Sequence, residues 1–287
     1  MSRFSLPGRP CLTASLDIVA RRLATWNERP LVLGICGSQG SGKSTVSREL
    51  KERLEAKGET VALLSIDDLY LGREARARLA AEIHPLFITR GVPGTHDTAL
   101  GLRLFDDLKA GKTVHLPRFD KASDEPLPVA EWPEATAPTV ILFEGWCVGA
   151  RPQRDIDLTR PVNALEETED KDAVWRTYVN EALKGPYAQL FAHIDRLALL
   201  AAPDFPTVRL WRGQQERSLA RRLRREGRTG TRVMSEAELT RFIDHYQRLT
   251  GHILRDMPGR ADLVIRLDVN RRPVHVSKAS MQAQNKL

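Results

Sequence analysis

Cysteine is scarce in this chain: three in 287 residues (Cys11, Cys36 and Cys147), with no C-x-x-C pair. That excludes a disulfide framework and a structural zinc site, and it suits a reducing compartment. Histidine spacing does not supply a metal site either, because no H-x-x-x-H or comparable pattern occurs, and His84, His115, His193, His245 and His252 read as structural or surface residues. No apolar run approaches the roughly 18 residues of a membrane-spanning helix, so no membrane partner is expected. The opening stretch, with Arg3, Pro7, Arg9 and Pro10, lacks the apolar segment of a secretory signal. The expectation is a soluble, cytoplasmic protein. Aromatic residues make up only 6%, and internal repeats are absent.

What is present is an ordinary globular composition, 41% hydrophobic and 28% charged, in a length that suits one large α/β domain or about two smaller ones. The 44 Lys and Arg against 37 Asp and Glu leave a net charge of +7. The excess is local. Nine arginines (209, 212, 217, 221, 222, 224, 225, 228 and 232) face two acids, Glu216 and Glu226, so residues 209–232 carry the whole imbalance. The partner of such a segment is an anion.

Apolar residues at Leu12, Leu16, Val19, Leu23 and Trp26 predict an amphipathic helix before the core. Leu31 to Cys36, Val61 to Ile66 and Thr139 to Phe143 read as buried strands, with Leu197 to Ala201 and Leu263 to Leu267 as a fourth and fifth. Helical spacing separates them, as in Val46, Leu50 and Leu54, or Leu239, Phe242, Ile243, Tyr246, Leu249 and Ile253. The alternation predicts an α/β fold with a central parallel five-stranded sheet flanked by helices, and a ligand at the carboxyl ends of the strands. A stretch with five prolines, 117–138, reads as a long loop, and the segment from 271 to 287 as a polar tail.

Gly37-Ser-Gln-Gly-Ser-Gly-Lys43-Ser44 matches G-x-x-x-x-G-K-[ST] between a strand and a helix. Glycines let backbone N–H groups turn toward phosphates, Lys43 reaches the β- and γ-oxygens, and the Ser44 hydroxyl meets Mg²⁺. Gly37, Ser38, Gln39, Gly40, Ser41, Gly42, Lys43, Ser44 and Thr45 are therefore the candidate ATP-binding residues. The strand ending at Phe143 runs into Glu144, the placement of a carboxylate that holds Mg²⁺ or its waters, and Trp146 beside it is a candidate wall of the substrate site. Ser65-Ile-Asp67-Asp68-Leu-Tyr70 closes the second strand, which puts Asp67 where it can accept a hydroxyl proton near the γ-phosphate. Asp68 reads as a turn residue. Arg90, Arg118 and Lys121 form a candidate clamp for a small carboxylate or phosphate. Of Thr95 and Asp97, one is expected to cap the helix containing Leu100, Leu104 and Leu108.

The loop G-S-x-G-S-G-K-S, then S-x-D-D-x-Y, R-G-x-P-G-T-H-D, P-R-F-D-K and F-E-G-W, in this order, resemble the P-loop kinases related to phosphoribulokinase, uridine kinase and pantothenate kinase. Within that group they are most similar to the D-glycerate 3-kinase-like branch. The resemblance runs from about Leu31 to Leu267. It implies ATP as phosphoryl donor with Mg²⁺, Asp67 as base, Glu144 at the metal, and Arg90, His96, Asp97, Arg118, Asp120 and Lys121 around a small-molecule acceptor, D-glycerate first. One departure stands out: the branch continues D-K with a glycine-containing stretch ending in G-D-R, whereas here Lys121 leads into Ala-Ser-Asp-Glu-Pro.

In that setting the arginine cluster reads as a lid over about 212–232, with Arg217 and Arg221 as catalytic candidates and Gly227 and Gly230 as hinges. Nucleic acid is disfavoured, because no aromatic residues interleave the arginines and no helix-turn-helix, RRM or KH pattern occurs. The organisation expected is an N-terminal helix over 1–30, a kinase domain over 31–270 with acceptor-site insertions at about 84–138, and the tail. A hydrolysing P-loop switch is the alternative from another class. It lacks N-K-x-D, and its one D-x-x-G, at Asp256 to Gly259, lies far beyond the Glu144 strand.

Overall fold

A computed structural model describes residues 9–225 and 234–278, with nothing stated of the side chains of 9–12, 219, 222 and 224. In chain order the elements are α1 (Arg9–Leu23), β1 (Leu31–Gly37), α2 (Lys43–Glu55), β2 (Val61–Ser65), α3 (Arg73–Glu82), α4 (Thr98–Lys109), β3 (Thr113–His115), β4 (Phe119–Asp120), β5 (Glu125–Pro126) and β6 (Glu134–Thr136). Then come β7 (Val140–Gly145), α5 (Ala164–Glu169), α6 (Val174–Lys184), α7 (Pro186–Phe191), β8 (Arg196–Ala201), α8 (Phe205–Arg225), α9 (Glu236–Asp256), β9 (Leu263–Leu267) and β10 (Pro273–Ser277).

The main sheet has six strands in the order β10-β9-β8-β1-β7-β2. Five run parallel, the five that the apolar runs predict, and β10 is antiparallel to β9. All residues of β1 and β7 are buried, as expected of central strands covered on both faces. The register sets Glu144 of β7 beside Ile35 of β1 on one side and Ser65 of β2 on the other. Three strand ends, carrying the glycine loop, Glu144 and Asp67, are thereby placed side by side at the edge where ligands bind in open parallel sheets.

Two expectations need correction. The sheet gains its sixth strand inside the segment read as tail: 273–277 pairs with β9 although its exposed Val274 and Val276 give it no buried apolar face to announce it. The proline-rich 117–138 stretch is not structureless either. Phe119–Asp120 pairs with Glu125–Pro126, and Thr113–His115 with Glu134–Thr136, so most of the stretch lies in or between short ladders. Of the expected lid, α8 runs without a break to Arg225, while Gly227, Arg228, Gly230 and Arg232 lie outside the described residues.

The first half of α8 is body rather than lid. Val208 and Trp211 are fully buried, Arg209 pairs with Asp244 at 2.8 Å, and Arg212 pairs with Glu216 at 2.7 Å. Trp211 is the strut between helix, sheet and glycine loop. Its indole N–H donates to the Val269 carbonyl at 2.8 Å, and its Cβ lies 2.6 Å from where a side chain on Gly40 would begin. From the β9–β10 turn, Arg271 stacks over the Trp211 ring at 5.0 Å, donates to the Gly40 carbonyl at 2.5 Å and reaches Gln214 at 2.8 Å. The corrected strand β10 thus closes a turn that braces the loop.

Gly40 and Gly58 both sit at positive φ, 77° and 86°, but a Cβ on Gly58 meets nothing within 4 Å. Gly58→Ala should cost only the backbone term, about 1 kcal/mol. Gly40→Ala adds the collision with Trp211, so urea unfolding should show it losing at least twice as much. Equal losses would mean that α8 does not press on the loop.

Candidate active site

The glycine loop leaves β1 at Gly37 and enters α2 through Gly42, whose φ of 92° only glycine adopts without strain. Around it lie buried polar atoms without a hydrogen-bond partner among the described residues: Ser38 Oγ, Gln39 Oε1, Ser41 Oγ and Glu144 Oε2. Desolvated oxygens left unpaired are costly unless a ligand or solvent completes them. Their grouping at the loop and at the end of β7 marks a polar ligand's seat. Glu144 is 6% exposed, and no group of three or more His, Cys, Asp or Glu able to hold a metal is found among the described residues. One buried carboxylate at the end of β7, with the Ser44 hydroxyl at the start of α2, is the kind of sparse donor set that suits Mg²⁺ keeping its waters and sharing phosphate oxygens, so these residues fit that ion.

Across from the loop, the chain turns at the end of β2 through a short 3₁₀ segment, Ile66–Leu69, capped by the Ser65 hydroxyl on the Asp67 N–H at 3.3 Å. The two aspartates part here. Asp67 Oδ2 accepts from Lys121 Nζ at 2.6 Å and Oδ1 from the Tyr70 hydroxyl at 2.9 Å. Burial pushes its carboxyl up, but the Lys121 and Lys43 charges and those two hydrogen bonds outweigh it and bring it to about 2. Asp68 accepts from the Phe119 N–H at 3.2 Å and faces Arg118 at 3.4 Å, tying β4 to the end of β2. Burial dominates there and raises the carboxyl to about 6.

Arg90 pairs with Asp124 and lies 5.5 Å over the Phe119 ring. Asp124, at φ 62°, is held from behind by Arg76 at 2.5 Å. Arg76 is 2% exposed and also donates to the Leu71 and Ile88 carbonyls. Arg90 is thus brought to Arg118 and Lys121 around the 119–126 hairpin, and each of the three faces a carboxylate.

His96 is buried, stacked on Tyr70 at 4.5 Å between ring centroids. The Tyr187 hydroxyl accepts from the Gly94 N–H at 3.0 Å and shares a hydrogen bond with His96 Nδ1 at 2.5 Å. The other ring nitrogen, Nε2, is buried and has no partner among the described residues. Burial lowers the His96 pKa to about 3, which keeps the ring neutral.

Other sequence candidates serve the framework. Asp97 is the helix cap, accepting from the Leu100 N–H at 2.8 Å, while Thr95 bonds within its own turn. Asp120 accepts from the Ala122 and Ser123 N–H groups and shapes the hairpin. Trp146 is buried and donates to the Gly91 carbonyl at 2.8 Å. Arg217 and Arg221 are exposed on α8, Arg221 touching only its neighbour Ser218 among the described residues. Sequence reading missed Tyr187, Asp124 and Arg76 altogether and took Asp68 for a turn residue. Tyr70 alone had a signal, its place in S-x-D-D-x-Y.

The profile of the phosphoribulokinase/uridine kinase family matches residues 32–150. The uncharacterized kinase mug58 of Schizosaccharomyces pombe is 31% identical over 288 residues, covering 91% of this chain and 99% of that protein. The chloroplastic D-glycerate 3-kinase of Arabidopsis thaliana is 28% identical over 85% of this chain, which spans 54% of that protein's length. Among solved structures, a D-glycerate 3-kinase from Cryptococcus neoformans superposes with a TM-score of 0.72 at 24% identity, over 96% of this chain and 99% of that one, and so shares the fold.

A neutral, buried His96 carries a pH signature. Its folded pKa, about 3, lies below the unfolded value near 6.5, so the unfolded chain takes up the proton first and stability is lost as pH falls below 6.5. Between pH 7 and pH 5.5 this loss amounts to about 1 kcal/mol. His96→Gln should show a drop in unfolding free energy smaller by that amount. An unchanged drop would show that His96 protonates freely in the fold.

Proposed function

Because this chain belongs to the phosphoribulokinase/uridine kinase family of ATP-dependent P-loop kinases, we propose that it transfers the γ-phosphoryl group of ATP to a hydroxyl of a small anionic metabolite, D-glycerate first among the candidates. One observation carries the reading. Asp67, the carboxylate next to the phosphate loop, is paired with Lys121 of the 119–126 hairpin, and the same hairpin gathers Arg118 against Asp68 and Arg90 against Asp124, three cations that a phosphate-loop hydrolase would not need on the acceptor side. The name of the Arabidopsis relative, 28% identical, supports glycerate in particular.

Each residue then has a task. Backbone N–H groups of Gly37 to Thr45 and the Lys43 ammonium bind the β- and γ-phosphates. Ser44 and Glu144 would hold Mg²⁺, which when bound neutralises charge between the β- and γ-oxygens. Asp67 takes the proton of the attacking hydroxyl. Arg90 and Arg118, planar donors, grip the acceptor's carboxylate together with Lys121. The neutral His96 ring, held through Nδ1 by Tyr187, offers its unpartnered Nε2 to an uncharged polar group of the acceptor. Arg217 and Arg221, on the exposed face of α8, are the arginines that approach the transferring phosphoryl group.

Two substitutions test the roles. Asp67→Asn should retain binding of an ATP analogue and lose turnover by about 10² to 10⁴; normal turnover would remove Asp67 as base. Arg118→Ala should raise the KM of the acceptor at least tenfold while that of ATP holds, and the reverse pattern would move Arg118 to the nucleotide side. A coupled assay of ADP release over D-glycerate, pantothenate, uridine and ribulose 5-phosphate identifies the acceptor, with D-glycerate expected to stimulate most. ADP release that no acceptor changes would instead favour the P-loop switch.

A further inference from the structure

Every cation of the acceptor clamp is already engaged by a carboxylate of this chain. Lys121 meets Asp67, Arg118 meets Asp68, and Arg90 meets Asp124. The three pairs are anchored differently. Asp124 is locked to the buried Arg76, and Asp68 to the Phe119 N–H, so the two arginines meet the acceptor from fixed positions. Lys121 has a side chain 58% exposed and, among the described residues, no hydrogen-bond partner besides Asp67. Its partner is the one carboxylate that has to be free for chemistry. With Tyr70 on Oδ1 and Lys121 on Oδ2, both oxygens of the base are hydrogen-bonded within the chain.

An ammonium on a flexible stem can pass from one carboxylate to another, and the Asp67 charge it leaves is still faced by Lys43 and by the Tyr70 hydroxyl. The geometry points to Lys121 as the specificity-determining residue: it covers the base, and the acceptor's carboxylate draws it off, so that an anionic group on the acceptor becomes a condition of turnover. This rests on the phosphoryl-transfer reading above. Once uncovered, Asp67 Oδ2 takes the hydroxyl proton, the hydroxyl oxygen bonds to the γ-phosphorus, and the bond from that phosphorus to the ADP oxygen breaks. The proton on Asp67 leaves to solvent after product release.

The charges facing Asp67 agree with a masked base. Lys43 approaches from α2, Lys121 from the β4–β5 hairpin, and Asp68 and Tyr70 from its own turn, while His96, Tyr246 and Cys147 lie within its field. With Lys121 in place the carboxyl sits at about 2, a weak base. Loss of an opposite charge at this distance raises a carboxyl by about one to three pKa units, tenfold or more in proton affinity. Water and neutral alcohols, which cannot draw Lys121 away, face the weaker base, and idle ATP hydrolysis is suppressed.

Glycerol has the hydroxyls of D-glycerate without the carboxylate, which makes it the probe. For Lys121→Ala, kcat with glycerol should rise about tenfold while kcat/KM with D-glycerate falls at least tenfold, and Lys121→Arg, which keeps the charge, should restore the wild-type preference. A clamp that does not mask predicts lower kcat/KM for D-glycerate with glycerol turnover unchanged, and that result overturns the inference while leaving the kinase reading intact. Should the wild-type protein phosphorylate no carboxylate-bearing acceptor, the reading of function falls, and ATP hydrolysis without acceptor decides the mask. A rise of about tenfold in Lys121→Ala supports it, and no change overturns it.

Discussion

The Asp67 carboxylate, held between the ammonium groups of Lys43 and Lys121 with Tyr70 on its second oxygen, is the contact around which the acceptor side is organised. A partly desolvated carboxylate is expensive to keep ionised, and here opposite charges and hydrogen bonds more than offset that cost. The partners come from separate parts of the chain: Lys43 opens α2, Lys121 sits on the β4–β5 hairpin, and Tyr70 follows the turn after β2. Their meeting depends on the sheet order, because the long excursion after β2 returns to insert β7 between β1 and β2. That insertion lines up the phosphate loop, Glu144 and Asp67 along one edge.

A second layer keeps these parts in place. Trp211 and Arg271 brace the glycine loop from outside, and the Arg76–Asp124–Arg90 relay fixes the acceptor hairpin from behind. The +7 concentrated in residues 209–232 divides accordingly. Arg209 pairs with Asp244 of α9, and Arg212 pairs with Glu216 of its own helix while lying over the Phe242 ring, whereas Arg217 and Arg221 remain exposed farther along α8.

The five parallel strands and the phosphate loop were legible in the sequence because period and glycine spacing encode them locally. β10 was not, since a short edge strand with Val274 and Val276 exposed has no buried face and forms through pairing alone. Arg90, Arg118 and Lys121 could be picked out by residue type, but their carboxylate partners come from tertiary placement, and Asp124 lay in a proline-rich stretch that reads as loop. Tyr187, some ninety residues from the histidine to which it hydrogen-bonds, carries no local signal at all.

Phosphoryl transfer to an anionic acceptor is tested most directly by the product itself. With ATP, Mg²⁺ and D-glycerate, ³¹P NMR of the reaction should show a phosphate monoester, coupled to an acceptor proton, growing in step with ADP. Inorganic phosphate as the one new signal besides those of ADP, formed at one rate with or without D-glycerate, would contradict it.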